Sequence, residues 1–202
     1  MTSDDAITFL RKDPALAGVI DIIGKYELKK RSRHFAVLIE SIISQQLATS
    51  AADAIFKRFK ELYPKFPTAS DILATKKSKL RMVGLSSMKI EYLRDLAKYV
   101  EEGKLNMKTI SRMSDEDVIA HLTQVKGIGR WTAEMFLIFS LGRQDIFPVG
   151  DLALRKGVQM LFSLPEMPKP KEAEKLGQKW KPYRTIATWY LWKSLRQFNK
   201  IG

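Results

Sequence analysis

Residues 122–134 read Leu122-Thr-Gln-Val-Lys-Gly-Ile-Gly-Arg-Trp-Thr-Ala-Glu134, and they hold the most informative pattern in the chain. Two glycines flank one apolar residue in Gly127-Ile128-Gly129, which predicts a tight hairpin between two helices. Backbone N–H groups at the start of the second helix would then face outward, where they suit a phosphate. The alternative is an ordinary helix–helix connection, because glycines end helices of every kind.

The residues around this turn favour the phosphate-binding interpretation. Ile128 can plug the space between the two helices, while the glycines let the backbone approach a ligand. Side chains that could donate to the same phosphate lie at Lys126, Arg130 and Thr132. The hairpin therefore predicts contact with a nucleic-acid backbone.

Asp151 is the second informative residue. It follows the short apolar run Phe147-Pro-Val-Gly150, and a run broken by Pro and Gly presents a carboxylate well at the edge of a cleft. Asp151 could also simply cap the helix that follows, which is a common use of Asp. Both roles can coexist, since a helix N-terminus favours a negative charge.

The charge of the chain points to a polyanionic partner. The 202 residues hold 35 Lys plus Arg against 22 Asp plus Glu, a formal net charge of +13. Nucleic acid is the first candidate, and several phosphate contacts would make binding strongly salt-dependent. A membrane partner is not expected, because no run approaches the ~18 apolar residues of a spanning helix.

Cysteine is absent, which excludes disulfides, Cys-ligated zinc or iron–sulfur centres and a thiol nucleophile. The two histidines, His34 and His121, do not suggest a His-rich metal site. We therefore expect that no cofactor is required. The first residues lack the basic start of a secretory signal, so we expect an intracellular protein.

Apolar residues recur at helical spacing over most of the chain. The first two such series are Phe35, Leu38, Ile39, Ile42 and Ile43, then Ala51, Ile55, Phe59 and Leu62. Thr68 and Ser114 each begin a hydroxyl-x-x-acid pattern that predicts a helix start. No sustained two-residue alternation suggests a sheet. We therefore predict an all-α fold.

We expect residues 1–202 to form one functional unit with two helical lobes. The approximate lobes are 35–110 and 111–202, and the N-terminal segment is expected to pack on the second. A Pro- and Lys-rich stretch, residues 164–171, is interpreted as a loop within that second lobe. It precedes an aromatic region that includes Trp180, Trp189 and Trp192.

Four motifs occur in an order that resembles a known family. They are Ser41-Ile-Ile-Ser-Gln-Gln-Leu-Ala48, Val125-Lys-Gly-Ile-Gly-Arg-Trp-Thr-Ala-Glu134, Asp145-Ile-Phe-Pro-Val-Gly-Asp151 and Trp180-Lys-Pro-Tyr-Arg184. Together they resemble the helix-hairpin-helix DNA glycosylases, and within them the DNA-3-methyladenine glycosylase II branch, which removes alkylated bases. The resemblance implies an all-α, two-lobed fold with the active site in a cleft between the lobes.

The resemblance also implies roles for individual residues. Asp151 matches the catalytic aspartate, and the hairpin from Gly127 to Thr132 matches the segment that holds the DNA backbone. Gln46 or Leu47 matches the wedge that fills the gap left by a flipped base, although Leu47 could instead be core. Two aromatic residues of the base pocket match Trp131 and Trp192. The family's hairpin often holds a monovalent cation through main-chain carbonyls, which here would be those of Thr123, Val125 and Ile128.

One departure from the family pattern predicts the reaction subtype. Relatives that also cleave the DNA strand carry a lysine directly after Gly-x-Gly-x, where its amine attacks the sugar. That position is Trp131 here, and Lys126 is displaced by five residues. We therefore expect a monofunctional enzyme of base excision repair. It would hydrolytically release alkylated purines of the 3-methyladenine and 7-methylguanine type from double-stranded DNA, as a monomer, and leave an abasic site.

Two alternatives remain open from the sequence. A bifunctional glycosylase/lyase for another lesion would need an amine nucleophile. A noncatalytic helix-hairpin-helix protein would bind DNA and would have no need of Asp151. Met135 stands where an aromatic residue is found in the bacterial enzyme, so the range of excised bases stays open.

Overall fold

The computed structural model describes residues 3–198, with side chains for residues 3–195. Every regular element in this part of the chain is helical, so the all-α prediction is confirmed. The α-helices are α1 (Ser3–Leu10), α2 (Pro14–Ile23), α3 (His34–Ser44), α4 (Thr49–Glu61), α5 (Ala69–Ala74), α6 (Lys77–Met82), α7 (Ser87–Glu101), α8 (Asp115–Leu122), α9 (Arg130–Phe136), α10 (Leu152–Leu161), α11 (Pro170–Gly177) and α12 (Arg184–Phe198). Short 3₁₀ turns span Ile110–Arg112 and Gln178–Trp180, and a π-helical turn spans Leu137–Leu141. Within residues 3–198, none of these helices is long and apolar enough to cross a membrane.

The chain folds into two compact units. Arg31–Leu141 carries α3 to α9 and is here called the hairpin unit. Residues 3–30 and 142–198 carry α1, α2 and α10 to α12 and are here called the aspartate unit. The expected lobes, 35–110 and 111–202, place the division too early. The hairpin helices α8 and α9 belong with the first lobe because α9 packs against α3 as well as against α8.

The core of the hairpin unit is built on α3. Leu38, Ile39, Ile42 and Ile43 are fully buried, as their helical spacing predicts, and Phe59 from α4 joins them. These apolar side chains supply the main driving force for packing α3 against α4 and α7. The position of α3 matters for function because the turn after it carries the predicted wedge.

Two helix starts in this unit are confirmed. Thr68 caps α5 with a full capping box, in which its side chain accepts from the Asp71 N–H and the Asp71 carboxylate accepts from the Thr68 N–H. Ser114 caps α8 in a similar way, accepting from the N–H of Asp117 at 3.2 Å. The hydroxyl-x-x-acid pattern therefore predicts both helix starts correctly.

The core of the aspartate unit surrounds α12. The N-terminal helices α1 and α2 pack against α12, and so does α10. Trp180 and Tyr190 are the largest fully buried side chains in this cluster. At Gly157 in α10, an added Cβ would lie 2.9 Å from the Leu191 Cβ, so the glycine lets α10 approach α12 closely. This packing fixes the N-terminus of α10, where Asp151 lies.

Candidate functional site

The predicted hairpin is present between α8 and α9. Gly127 has φ 81°, a left-handed conformation that favours glycine. A Cβ at this position would also lie 2.1 Å from Cδ2 of Tyr92, which is closer than real contacts allow. Gly127 is therefore required by the fold of the protein itself.

Gly129 is a glycine for a different reason. Its φ and ψ are −90° and 174°, a conformation open to any residue, and a Cβ here would meet no protein atom within 4 Å. Gly129 caps α9, and the first bond within that helix runs from the Ala133 N–H to the Gly129 carbonyl at 3.1 Å. The N–H groups of the first turn precede that bond, so helix geometry gives them no acceptor within α9 itself.

The side chains around the hairpin differ in how far they can reach a ligand. Ile128 is only 3% exposed and fills the turn as predicted. Thr132 is 6% exposed, so its buried hydroxyl is poorly placed as a phosphate donor and its backbone N–H is the better candidate. Lys126 has an exposed side chain, while its backbone N–H donates to Asp95 Oδ2 at 2.8 Å.

Arg130 is bound to two carboxylates of the same unit. Its guanidinium donates to both oxygens of Glu116, at 2.9 and 3.3 Å, and to Glu134 Oε1 at 3.1 Å. The hydrogen bonds to Glu116 raise the pKa of Arg130 above its ordinary value, although partial burial opposes this. Arg130 must therefore exchange these partners, in whole or in part, to reach a phosphate.

The predicted wedge residues lie in an exposed turn, residues 45–48, here called the wedge turn. It joins α3 to α4 in the hairpin unit. Gln46 is exposed and has φ 55°, which is uncommon for a residue with a Cβ. Leu47 is 38% exposed, so the interpretation of Leu47 as plain core is wrong. The neighbouring Gln45, which the sequence motifs did not single out, donates from Nε2 to the Gly127 carbonyl at 2.7 Å.

Asp151 caps α10, and the predicted cap is confirmed. Its Oδ1 accepts from the Leu154 N–H at 2.6 Å and from the Trp192 indole N–H at 3.0 Å. The carboxylate is half-buried. Two of the predicted site residues, Asp151 and Trp192, are thus brought into direct contact. The other predicted aromatic, Trp131, lies in the first turn of α9 in the hairpin unit and is 47% exposed.

The loop that leads to Asp151 is fastened to the start of α12. Arg184 donates to both carboxylate oxygens of Asp145, at 2.7 and 3.0 Å, and to Glu174 at 2.9 Å. Thr185 Oγ1 accepts from the Ile146 N–H at 2.9 Å. Arg184 and Asp145 are the ends of two of the quoted motifs, and their pairing explains why those motifs occur together.

Cation binding by side chains has little support in the described part of the chain, where no group of three or more His, Asp or Glu could hold a metal ion. Of the main-chain carbonyls proposed for a monovalent cation, that of Thr123 is at the C-terminal cap of α8, and those of Val125 and Ile128 are in the hairpin that follows. Val125 O accepts from the Ile128 N–H at 3.1 Å, and a carbonyl oxygen has a second lone pair. Carbonyl oxygens are the kind of ligand that a hard cation takes, and a cation at this hairpin stays a prediction.

Comparisons with known proteins agree with this arrangement. The family model described as HhH-GPD superfamily base excision DNA repair protein matches residues 39–182. DNA-3-methyladenine glycosylase 1 of Schizosaccharomyces pombe is 39% identical over 182 residues, which cover 87% of this chain and 80% of that protein.

Two solved structures are similar over nearly the whole chain. The 3-methyladenine DNA glycosylase of Schizosaccharomyces pombe in complex with abasic DNA has a TM-score of 0.86 at 37% identity, covering 95% of this chain and 97% of that one. A DNA-3-methyladenine glycosidase from Bacillus halodurans has a TM-score of 0.88 at 37% identity, covering 96% and 89%. The chain therefore belongs to the HhH-GPD superfamily of base excision DNA repair proteins.

Proposed function

We propose that this chain is a monofunctional DNA glycosylase of base excision repair, which hydrolytically excises alkylated purines such as 3-methyladenine and 7-methylguanine. The observation that carries the proposal is Asp151, a half-buried carboxylate fixed at the N-terminus of α10 by the Leu154 N–H and the Trp192 indole. Relatives that are similar over most of this chain are named 3-methyladenine glycosylases, which supports the same substrate class.

The hairpin unit is proposed to hold the DNA. First-turn N–H groups of α9 would bind a phosphate, and Gly129 leaves the space for the DNA backbone to approach. Gln46 or Leu47 would fill the gap when the damaged nucleotide rotates out of the duplex, since a stacked base cannot reach a protein carboxylate. The exposure of both residues supports this role.

The chemistry follows from the charge of the substrate. A purine methylated at a ring nitrogen is cationic, so it can leave without strong protonation, and a Trp face favours it by about 0.5 to 2 kcal/mol. As the glycosidic bond breaks, positive charge grows on the sugar. Asp151 would stabilise that charge and orient or deprotonate the attacking water.

Strand cleavage is not part of the proposal. A lyase step needs an amine nucleophile that forms a Schiff base with the sugar, and Trp131 occupies the position of that lysine. The products should be a free base and an abasic strand. We also propose a monomer that acts inside the cell. A monovalent cation on the carbonyls of Thr123, Val125 and Ile128 would brace the hairpin, and no chemical step depends on it.

The direct test is product analysis on methylated duplex DNA. We expect the protein to release free methylated purine and to leave an uncleaved strand with an abasic site. Borohydride should trap no covalent protein–DNA adduct. A trapped adduct would favour the glycosylase/lyase, and tight DNA binding without any released base would favour a noncatalytic binding protein.

The two glycines of the hairpin test the DNA-holding role with a matched pair of variants. Gly129→Ala should lower the free energy of unfolding by under about 1 kcal/mol, because Ala is a poorer N-cap than Gly. It should weaken DNA binding, because the new methyl group has no protein atom within 4 Å and would meet DNA. Gly127→Ala should lower stability by at least about 1 kcal/mol, from its left-handed backbone and the clash with Tyr92. Denaturation curves and DNA titrations measure both. If Gly129→Ala binds DNA like wild type, the hairpin does not hold the backbone as proposed.

A further inference from the structure

We propose that Gln45 is a positioning residue that joins the wedge turn to the hairpin. Through it, the segment that binds phosphate and the residues that displace the base are held in one fixed arrangement before DNA binds. This inference rests on the proposed function and adds a residue to it. Gln45 itself is not placed against DNA; it acts through the Gly127 carbonyl and through the turn that follows it.

The first support is the geometry of the bond. Gln45 is the C-terminal cap of α3, and its half-buried side chain donates from Nε2 to the Gly127 carbonyl at 2.7 Å, across 82 residues of sequence. Gly127 cannot easily move, because its φ of 81° and its contact with the Tyr92 ring hold that peptide in place. The carbonyl is therefore a fixed point to which the wedge turn is tied.

A second anchor lies just before the turn. Lys89 is only 9% exposed, and its ammonium donates to the Ile43 carbonyl in the last turn of α3 at 2.7 Å. A cation at a helix C-terminus is favourable because it meets the negative end of the helix dipole. Burial lowers the pKa of Lys89, so this contact is made at the cost of desolvating the amine. Lys89 and Gln45 thus hold the chain on both sides of Ser44.

These anchors explain a turn that would otherwise relax. Gln46 keeps a left-handed backbone with φ 55°, and Leu47 stays 38% exposed to water. Such conformations persist only where the surrounding structure over-determines them. A wedge held ready before DNA arrives does not lose the entropy of ordering when it inserts, which favours base displacement.

The proposal is tested with Gln45→Met, which keeps the length of the side chain and removes its donor. The probe is a duplex with 2-aminopurine opposite an abasic-site analogue, because its fluorescence rises when the base is unstacked by an inserting residue. The control is Gln178→Met, which removes an exposed glutamine hydrogen bond, to Glu174, in the aspartate unit. Lys89→Met tests the second anchor with the same probe.

For Gln45→Met we expect about a fivefold loss of both the fluorescence response and the single-turnover rate of base release, the factor that one lost hydrogen bond gives. Binding to undamaged duplex and the melting temperature should match those of Gln178→Met. Lys89→Met should reduce the fluorescence response in the same direction.

Two results would overturn the proposal. One is a wild-type fluorescence response from Gln45→Met. The other is about a fivefold loss of binding to undamaged duplex, or a melting temperature clearly below that of Gln178→Met, because either would mean a merely structural role. Failure of the glycosylase assignment looks different. In that case the wild-type protein releases no base, while the fluorescence comparison still decides whether Gln45 positions the wedge turn.

Discussion

Two aspartates of the aspartate unit have the same pattern of hydrogen bonds but are expected to have different functions. Asp13 caps α2 and accepts from the Ala15 N–H at 3.1 Å, and Asp151 caps α10. Each also accepts an indole N–H, from Trp180 at 2.8 Å and from Trp192 at 3.0 Å. Capping and an indole bond are therefore common to both sites and cannot by themselves define the reacting carboxylate.

The two sites differ in the exposure of the indole partner. At Asp13 that partner, Trp180, is only 1% exposed, and the carboxylate also forms an ion pair with Lys179 at 2.8 Å. At Asp151 the partner, Trp192, is half-buried. An ion-paired carboxylate beside a buried indole stabilises the fold, whereas a carboxylate beside a partly exposed indole is expected to face a substrate. The comparison teaches that the exposure of the neighbouring aromatic residue, and not the cap itself, distinguishes the two sites.

Removing the indole N–H at each site sharpens this comparison. Trp192→Phe keeps an aromatic ring and loses the hydrogen bond to Asp151, so we expect about a tenfold slower base release with DNA binding intact. Trp180→Phe is the matched control, because it loses the equivalent bond to Asp13. It should lower thermal stability without slowing release by the folded enzyme. Equal rates for both variants would mean that the Trp192 N–H does not position the carboxylate.

The smallest effect is the pH dependence that Asp13 gives to stability. Burial opposes ionisation of Asp13, but hydrogen bonds from Lys179 and Trp180 outweigh it and lower its pKa below the ordinary 3.8. The unfolded chain then takes up this proton first as pH falls. Stability from Asp13 is therefore complete above 3.8 and is lost as pH falls through the lower, folded pKa.

Asp13→Asn removes the ionisable group. The difference in unfolding free energy between wild type and Asp13→Asn should be about 1 to 2 kcal/mol at pH 6, because the Asn Nδ2 accepts neither the Trp180 indole N–H nor the Lys179 ammonium, and Lys179 is partly exposed. It should shrink as the pH is lowered below 3.8. Urea denaturation at a series of pH values measures it. A difference that grows on acidification would contradict the assigned direction of the pKa.

Local patterns were sufficient for much of the fold and for the two central features of the site. The hairpin at Gly127-Ile128-Gly129 and the caps at Thr68, Ser114 and Asp151 lie where the sequence predicts them. Each of these features depends on residues within a few positions of one another, so a short stretch of sequence is enough to predict it.

The features that sequence missed depend on partners far apart in the chain. Gln45 reaches Gly127 across 82 residues, and Arg184 reaches Asp145 across 39. Residue type predicts Arg130 and Thr132 as phosphate donors, but tertiary packing pairs the first with carboxylates and buries the second. The sequence also places the lobe boundary too early, since only packing shows that α9 lies against α3.

The most direct test of the account is release of free base from methylated duplex DNA by wild type, Asp151→Asn and Asp13→Asn in parallel. At residue 151 a single oxygen accepts both the Leu154 N–H and the Trp192 N–H, so Asn can keep both bonds. At residue 13 the cap and the indole bond use different oxygens, so Asn can keep the cap but loses the indole bond. Both variants should fold and bind DNA, with the larger stability cost at residue 13. We predict that Asp151→Asn loses at least about 100-fold in the rate of release and that Asp13→Asn stays close to wild type. Near-normal release by Asp151→Asn would contradict the central claim that this carboxylate carries the reaction.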